Sequence, residues 1–179
     1  IKPIIDHGHI DFGENKVQEA VKKWSKIKEE NNKINLHLIG KLQANKVKYC
    51  LPLFDYIHSL DSFKLADKIA NEQVKKNFKP NLFIQINIGE EDQKNGIELN
   101  NLEIFYEKIK KDFDLNVVGL MCMPPNISDT KPFFEKMKRV SAKISLKELS
   151  MGMSNDYLDA TKYSATFVRI GSKIFGARN

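Results

Sequence analysis

The sequence predicts an α/β fold, a (β/α)8 barrel without its first strand, and three observations lead there. Short apolar, β-branched runs alternate with amphipathic, lysine-studded segments along the chain, the pattern of successive βα units and a parallel sheet. The runs number seven in 179 residues, whereas the commonest closed α/β solution needs eight strands and at least about 200 residues. The chain also opens on IKPIIDHG, which reads as the last turns of a helix stopped by Gly8 at the C′ position. A helix that crosses back to a parallel strand follows an earlier strand. The expectation is therefore one N-terminal strand ahead of Ile1, in a longer natural protein.

The candidate strands, in order, are IDFGE (10–14), INLHLIG (34–40), YIHSLD (56–61), NLFIQINI (81–88), LNVVGLMCM (115–123), KELSM (147–151) and TFVRIG (166–171). Amphipathic helices are expected over 17–30, 62–76, 101–113 and 131–144, with a helix after every strand except the last. Asp61-Ser62 and Asp129-Thr130 supply N-cap chemistry, and Pro132 suits a first helical turn. Nothing reads as a linker, repeat or low-complexity tract, so residues 1–179 are expected to form one domain.

Composition narrows the function. The chain carries 29 Lys+Arg against 23 Asp+Glu, a formal charge of +6. Its only arginines are Arg139, Arg169 and Arg178, so the basicity is lysine spread over helix faces, which means solubility and not nucleic-acid binding. Cys50 and Cys122 lie far apart in apolar segments without metal-ligand spacing, as buried thiols of a reducing cytoplasm do. No apolar run reaches the roughly 18 residues of a membrane span, and IKPIIDHGHIDF lacks a signal-peptide plan. The expectation is a cytoplasmic protein with no membrane and no nucleic-acid partner.

With one strand ahead of Ile1, KELSM and TFVRIG become strands seven and eight, whose following loops often build a phosphate site in such barrels. After the first comes Gly152-Met153-Ser154-Asn155, where glycine lets backbone approach an anion and Ser154 offers a hydroxyl and a helix cap. After the second comes Gly171-Ser172, a small-residue turn whose amides can face the same point. Each pair alone is ordinary turn chemistry; their joint placement points to phosphate. Arg169 shares a side with Gly171 by alternation; it reads either as a surface-paired arginine or as an inward-pointing one, which would need an acceptor such as a ring nitrogen or a carboxylate.

Seven ordered motifs then carry a resemblance from end to end of the chain. FGENKVQEA (12–20), HLIGKLQANKVK (37–48), IHSLDSFKLADKI (57–69), IQINIGEEDQKNGI (84–97), VVGLMCMPP (117–125), LSMGMSND (149–156) and VRIGSKIFGAR (168–178) closely resemble the pyridoxal phosphate homeostasis protein family. That family has the fold of the alanine racemase N-terminal domain. The resemblance implies a barrel that binds pyridoxal 5′-phosphate through a Schiff base to a lysine near the end of the first strand, upstream of Ile1. Lys2 falls in the following helix and is not that lysine. It further implies Ser154, Gly171 and Ser172 as phosphate ligands, Arg169 at the pyridine nitrogen, and Asn15 and Met153 lining the pocket. His37, Gly40, Gln43 and Asn45 belong to a shared motif; for His37 a satisfied structural histidine and a site role both stand. Lys94 matches a family lysine and reads either as a solvated loop residue or as an aid in delivering an anionic aldehyde.

The function implied is a carrier or buffer of pyridoxal phosphate, in vitamin B6 homeostasis, without catalysis of its own. Enzymes that use the cofactor are the expected acceptors, and the expected state is a monomer or weak dimer. The alternatives are a pyridoxal phosphate-dependent amino-acid racemase and a barrel enzyme acting on a sugar phosphate. The second would need a carboxylate or lysine pair at strand ends, and Glu14, Asp61 and Glu90 lie near such ends.

Overall fold

The computed structural model describes residues 1–91, 93 and 95–176. Seven strands, β1 (Asp11–Glu14), β2 (Asn35–Leu38), β3 (Tyr56–Leu60), β4 (Asn81–Ile86), β5 (Asn116–Cys122), β6 (Glu148–Met153) and β7 (Phe167–Arg169), form one sheet in sequence order. Every neighbouring pair is parallel. Each expected strand is present, trimmed by a residue or two at its ends, except that β6 starts one residue later than expected and runs two residues further, to Met153. β3 and β4 are buried continuously after their first residue, as strands covered on both faces should be.

The helices are α1 (Lys2–Asp6), α2 (Val17–Glu30), α3 (Val47–Cys50), α4 (Phe63–Lys76), α5 (Leu102–Asp112), α6 (Lys131–Lys143), α7 (Tyr157–Lys162) and α8 (Ser172–Phe175). Helical spacing selects their inner faces: Val17, Ala20 and Trp24 of α2, Leu102, Phe105 and Ile109 of α5, and Phe134, Met137 and Ser141 of α6 are buried. The last strand was expected to lack a helix, but α8 follows it. A four-residue turn of SKIF is too short to leave a periodic signal.

Local capping follows the sequence closely. Gly8 has φ +88°, its N–H reaches the Ile5 carbonyl at 2.8 Å, and the His9 N–H reaches Ile4 at 3.2 Å, the paired bonds of a Schellman motif. Ser62 Oγ accepts the Leu65 N–H and caps α4. At α6 the N-cap position belongs to Thr130, yet the side chain that accepts is Asp129, from the Lys131 N–H at 3.2 Å, while Pro132 fills the first turn.

Contacts across the interior show that the sheet is curled into a barrel. His58 of β3 meets Ser150 of β6 at 2.8 Å, although two strands separate them in the sheet. The ring of His37 in β2 lies 5.6 Å from that of Phe167 in β7. β1 pairs only with β2, and β7 only with β6, so among the described residues the cylinder has one unpaired seam. The helices flanking it in sequence, α1 and α8, meet along a depression lined by Pro3, Ile4, His7, Gly8, His9 and Ile174.

Close approach of neighbouring strands makes Gly119 obligatory: a Cβ there would stand 2.1 Å from the Glu148 carbonyl oxygen of β6. Gly119→Ala is expected to destabilise the fold by about 1–3 kcal/mol. At this chain length that lowers the melting temperature by roughly 2–4 °C per kcal/mol, read from the fluorescence of the single, buried Trp24.

Candidate functional site

Parallel strands all end on the same side, so the carboxyl ends of β1, β6 and β7 bring Asn15, Met153, Ser154, Arg169, Gly171 and Ser172 to one mouth of the barrel. Met153 and Arg169 are register partners across β6 and β7. Gly152 adopts φ +90°, and a Cβ there would stand 2.6 Å from the Ala160 Cβ, so glycine lets α7 close onto the strand end. The chain then turns tightly, with the Met153 N–H donating to Asp156 Oδ1 at 2.7 Å and the Asp156 N–H to the Met153 carbonyl at 3.1 Å.

That turn buries Ser154, which was expected to cap the following helix. Asp156 occupies the N-cap position of α7 instead. Ser154 Oγ accepts the Gly171 N–H at 3.2 Å, tying the loop after β6 to the loop after β7. Accepting that bond leaves the hydroxyl hydrogen free to be donated. The N–H groups of Ser172 and Lys173, in the first turn of α8, have no backbone acceptor among the described residues. One hydroxyl and two amides thus stand available for an oxyanion at the junction of the two loops.

Asn15 is exposed, and its backbone crosses Gly40 so closely that a Cβ on Gly40 would stand 2.2 Å from the Asn15 carbonyl oxygen. This contact accounts for Gly40 in its motif. Gln43 and Asn45 lie exposed at the short 3-10 turn after β2. Lys94 lies outside the described residues, while Lys2 sits in helix α1.

Arg169 points inward and is not paired at the surface, but its acceptors are neither ring nor carboxylate. Nη1 donates to Ser150 Oγ at 2.7 Å and Nη2 to the Cys122 carbonyl at 2.8 Å. Its other N–H groups have no protein acceptor among the described residues. Burial lowers the pKa of the guanidinium from its ordinary value and pushes the Cys122 thiol up to about 12. Behind Ser150 the polar contacts continue: His58 Nδ1 lies 2.8 Å from Ser150 Oγ, His58 Nε2 lies 3.0 Å from His37 Nδ1, and His37 Nε2 lies 3.1 Å from Asp11 Oδ1. The His37 ring stacks on Tyr56 at 4.3 Å and the His58 ring on Phe83 at 4.3 Å. Burial lowers the pKa of both imidazoles, against the raising influence of Asp11 on His37 and well below the ordinary value for His58. Asp11, His58 and Ser150 carried no site expectation. The available signal was a polar residue set between apolar ones inside a strand, in YIHSL and ELSM.

The strand-end carboxylates are engaged elsewhere. Glu14 accepts from Lys23 at 2.6 Å and from the Trp24 indole at 2.7 Å, both on α2, and Glu90 accepts from Lys136 on α6 at 2.9 Å. Asp61 is partly buried, and burial raises its pKa. Among the described residues no cluster of His, Cys, Asp or Glu could hold a metal ion, and no helix is long and apolar enough to cross a membrane. Cys50 and Cys122 are free and buried, as expected.

Residues 2–179 match the family model of the alanine racemase N-terminal domain. The chain is 39% identical over 176 residues to the pyridoxal phosphate homeostasis protein of Aquifex aeolicus, covering 93% of this chain and 76% of that protein. It is similar in structure to PipY of Synechococcus elongatus solved without PLP, with a TM-score of 0.91, 30% identity, and coverage of 98% of this chain and 86% of that one. PipY with PLP bound superposes with a TM-score of 0.88, again at 30% identity, over 98% of this chain and 85% of the other.

The two buried imidazoles predict a pH dependence of stability. Their folded pKa values lie below the ordinary 6.5, so near and below that pH the unfolded chain binds more protons than the fold. Stability is then retained above about pH 6.5 and lost as the pH falls, by at most about 1.4 kcal/mol per pH unit for each imidazole. Urea midpoints between about pH 7.5 and about pH 5.5 should drop accordingly, and less steeply in His58→Phe; equal slopes in the two proteins would contradict the assignment.

Proposed function

We propose, because the chain belongs to the alanine racemase N-terminal domain family and within it to the pyridoxal phosphate homeostasis proteins, that it binds pyridoxal 5′-phosphate at the mouth of its barrel and serves as a carrier or buffer of that cofactor. The observation that carries the reading is the bond from the Gly171 N–H to Ser154 Oγ, which joins the two loops into one oxyanion cradle. The donor set fits the group. The Ser154 hydroxyl and the N–H groups of Ser172 and Lys173 suit a phosphate, and the unspent guanidinium donors of Arg169 suit an unprotonated ring nitrogen. Asn15 and Met153 line the same mouth.

Pyridoxal phosphate, when bound, supplies an aldehyde and an electron-withdrawing ring. Arg169 disfavours a proton on the ring nitrogen, which weakens the electron sink needed for carbanion chemistry and suits storage over turnover. Racemisation also needs an acid/base group on each face of its substrate. Tyr56, the tyrosine stacked within the lumen, begins β3 and so stands at the amino end, away from Ser154 and Arg169. A sugar-phosphate enzyme is disfavoured by the engagement of Glu14 and Glu90 with lysines and an indole. Residues 1–179 act as a single cofactor-binding domain. We place the protein in the cytoplasm as a monomer or weak dimer, delivering the cofactor to enzymes that use it; the free buried thiols agree with that compartment.

The natural full-length protein, incubated with pyridoxal phosphate, reduced with borohydride and digested, should give one modified lysine peptide; adducts scattered over surface lysines would sink the proposal. Ser154→Ala removes a hydrogen bond to a charged phosphate, which costs about 1.5–3 kcal/mol, or about 10- to 150-fold in Kd. Titration of the variant by cofactor absorbance checks that loss.

A further inference from the structure

The contacts behind Arg169 form an unbroken file across the lumen: Arg169, Ser150, His58, His37, Asp11, at 2.7, 2.8, 3.0 and 3.1 Å in turn. Its two ends are chemically fixed. A guanidinium can only donate and an ionised carboxylate can only accept, while the hydroxyl and the two imidazoles do both. Ser150 Oγ accepts from Arg169, so its own hydrogen goes to His58 Nδ1. His58 then carries its hydrogen on Nε2 and donates to His37 Nδ1, and His37 donates from Nε2 to Asp11. With both rings neutral, this is the assignment in which every bond holds one hydrogen. Ser150 and His58 are almost wholly buried, and the Asp11 side chain is 46% exposed at the far end.

We propose that Ser150 and His58, with His37 and Asp11 behind them, are positioning residues that aim Arg169 at the cofactor ring, the file fixing both the direction of the guanidinium and the tautomers of both histidines. The proposal rests on the cofactor reading for its target. Three features favour positioning over mere filling of the lumen. Arg169 has no carboxylate within ion-pair distance among the described residues, so Ser150 and the Cys122 carbonyl are what hold its charge in place. Aromatic rings fix both imidazoles, Tyr56 against His37 and Phe83 against His58, with Phe167 set edgewise to His58. The file also runs from the amino end of β1 to the carboxyl end of β7, so it carries information about an acceptor at one end of the barrel to a donor at the other.

The test uses the natural full-length protein and two readouts. Nitrogen-15 spectra of labelled histidine at neutral pH should show His37 and His58 neutral with the hydrogen on Nε2, and Ser150→Ala should move the His58 Nδ1 resonance. Ser150→Ala should also weaken pyridoxal phosphate binding by about tenfold and shift the visible absorption of the bound cofactor. His58→Phe, which keeps the stack on Phe83, should give the same change at smaller size. A protonated or Nδ1–H histidine in the file overturns the proposal, as do wild-type affinity and spectrum in both variants. A wild-type protein that takes up no pyridoxal phosphate sinks the cofactor reading and, with it, the target of the file; the histidine tautomers still decide whether the file itself exists. If Ser150→Ala fails to fold, His58→Phe and the wild-type tautomers decide.

Discussion

A buried guanidinium must be given acceptors, and the lumen of this barrel is arranged around that requirement. Removing Arg169 from water is costly unless its N–H groups find oxygens, and burial lowers its pKa accordingly. The oxygens come from β5, through the Cys122 carbonyl, and from β6, through the Ser150 hydroxyl. Ser150 can serve only if its own hydrogen is accepted in turn, which draws in His58 and then His37 and Asp11. The polar file is thus one constraint propagated through three intermediates, and it reaches water at the half-exposed Asp11.

The same constraint specifies the shape of the sheet. Strands β3 and β6 can satisfy one another's polar side chains only if the sheet curls until its inner face meets itself. Stacked and edgewise rings from β2, β3, β4 and β7 fill the remaining lumen, so the interior is a packed layer and not a channel. Glycines then allow the approaches that a closed sheet demands: Gly119 against the backbone of β6, Gly40 against the loop carrying Asn15, and Gly152 beneath α7. Two of the three sit at the carboxyl mouth, where close backbone contact also sets the geometry of the candidate phosphate cradle.

Seven parallel strands, the four long amphipathic helices, the Gly8 stop and the Ser62 cap were all legible in the sequence, because hydrophobic period and capping chemistry are local. That Arg169 takes the side opposite Val168 and Ile170 was legible too, since alternation along a strand is local; that this side faces the lumen was not. What could not be read was the company these residues keep. Ser154 was expected at a helix cap, and the fold gives that position to Asp156 and turns Ser154 toward Gly171. A one-turn helix after β7 leaves too short a pattern to detect.

The sequence by itself determined which residue types stand at which strand ends, and its ordered motifs carry the family. Tertiary structure alone decided that Asp11, His37, His58, Ser150 and Arg169 form a single file. Those residues come from five strands and span nearly the whole chain, and hydrogen bonds between them arise only when the sheet curls. Period and spacing record which side of a strand a residue faces; they do not record which residue it meets across the lumen.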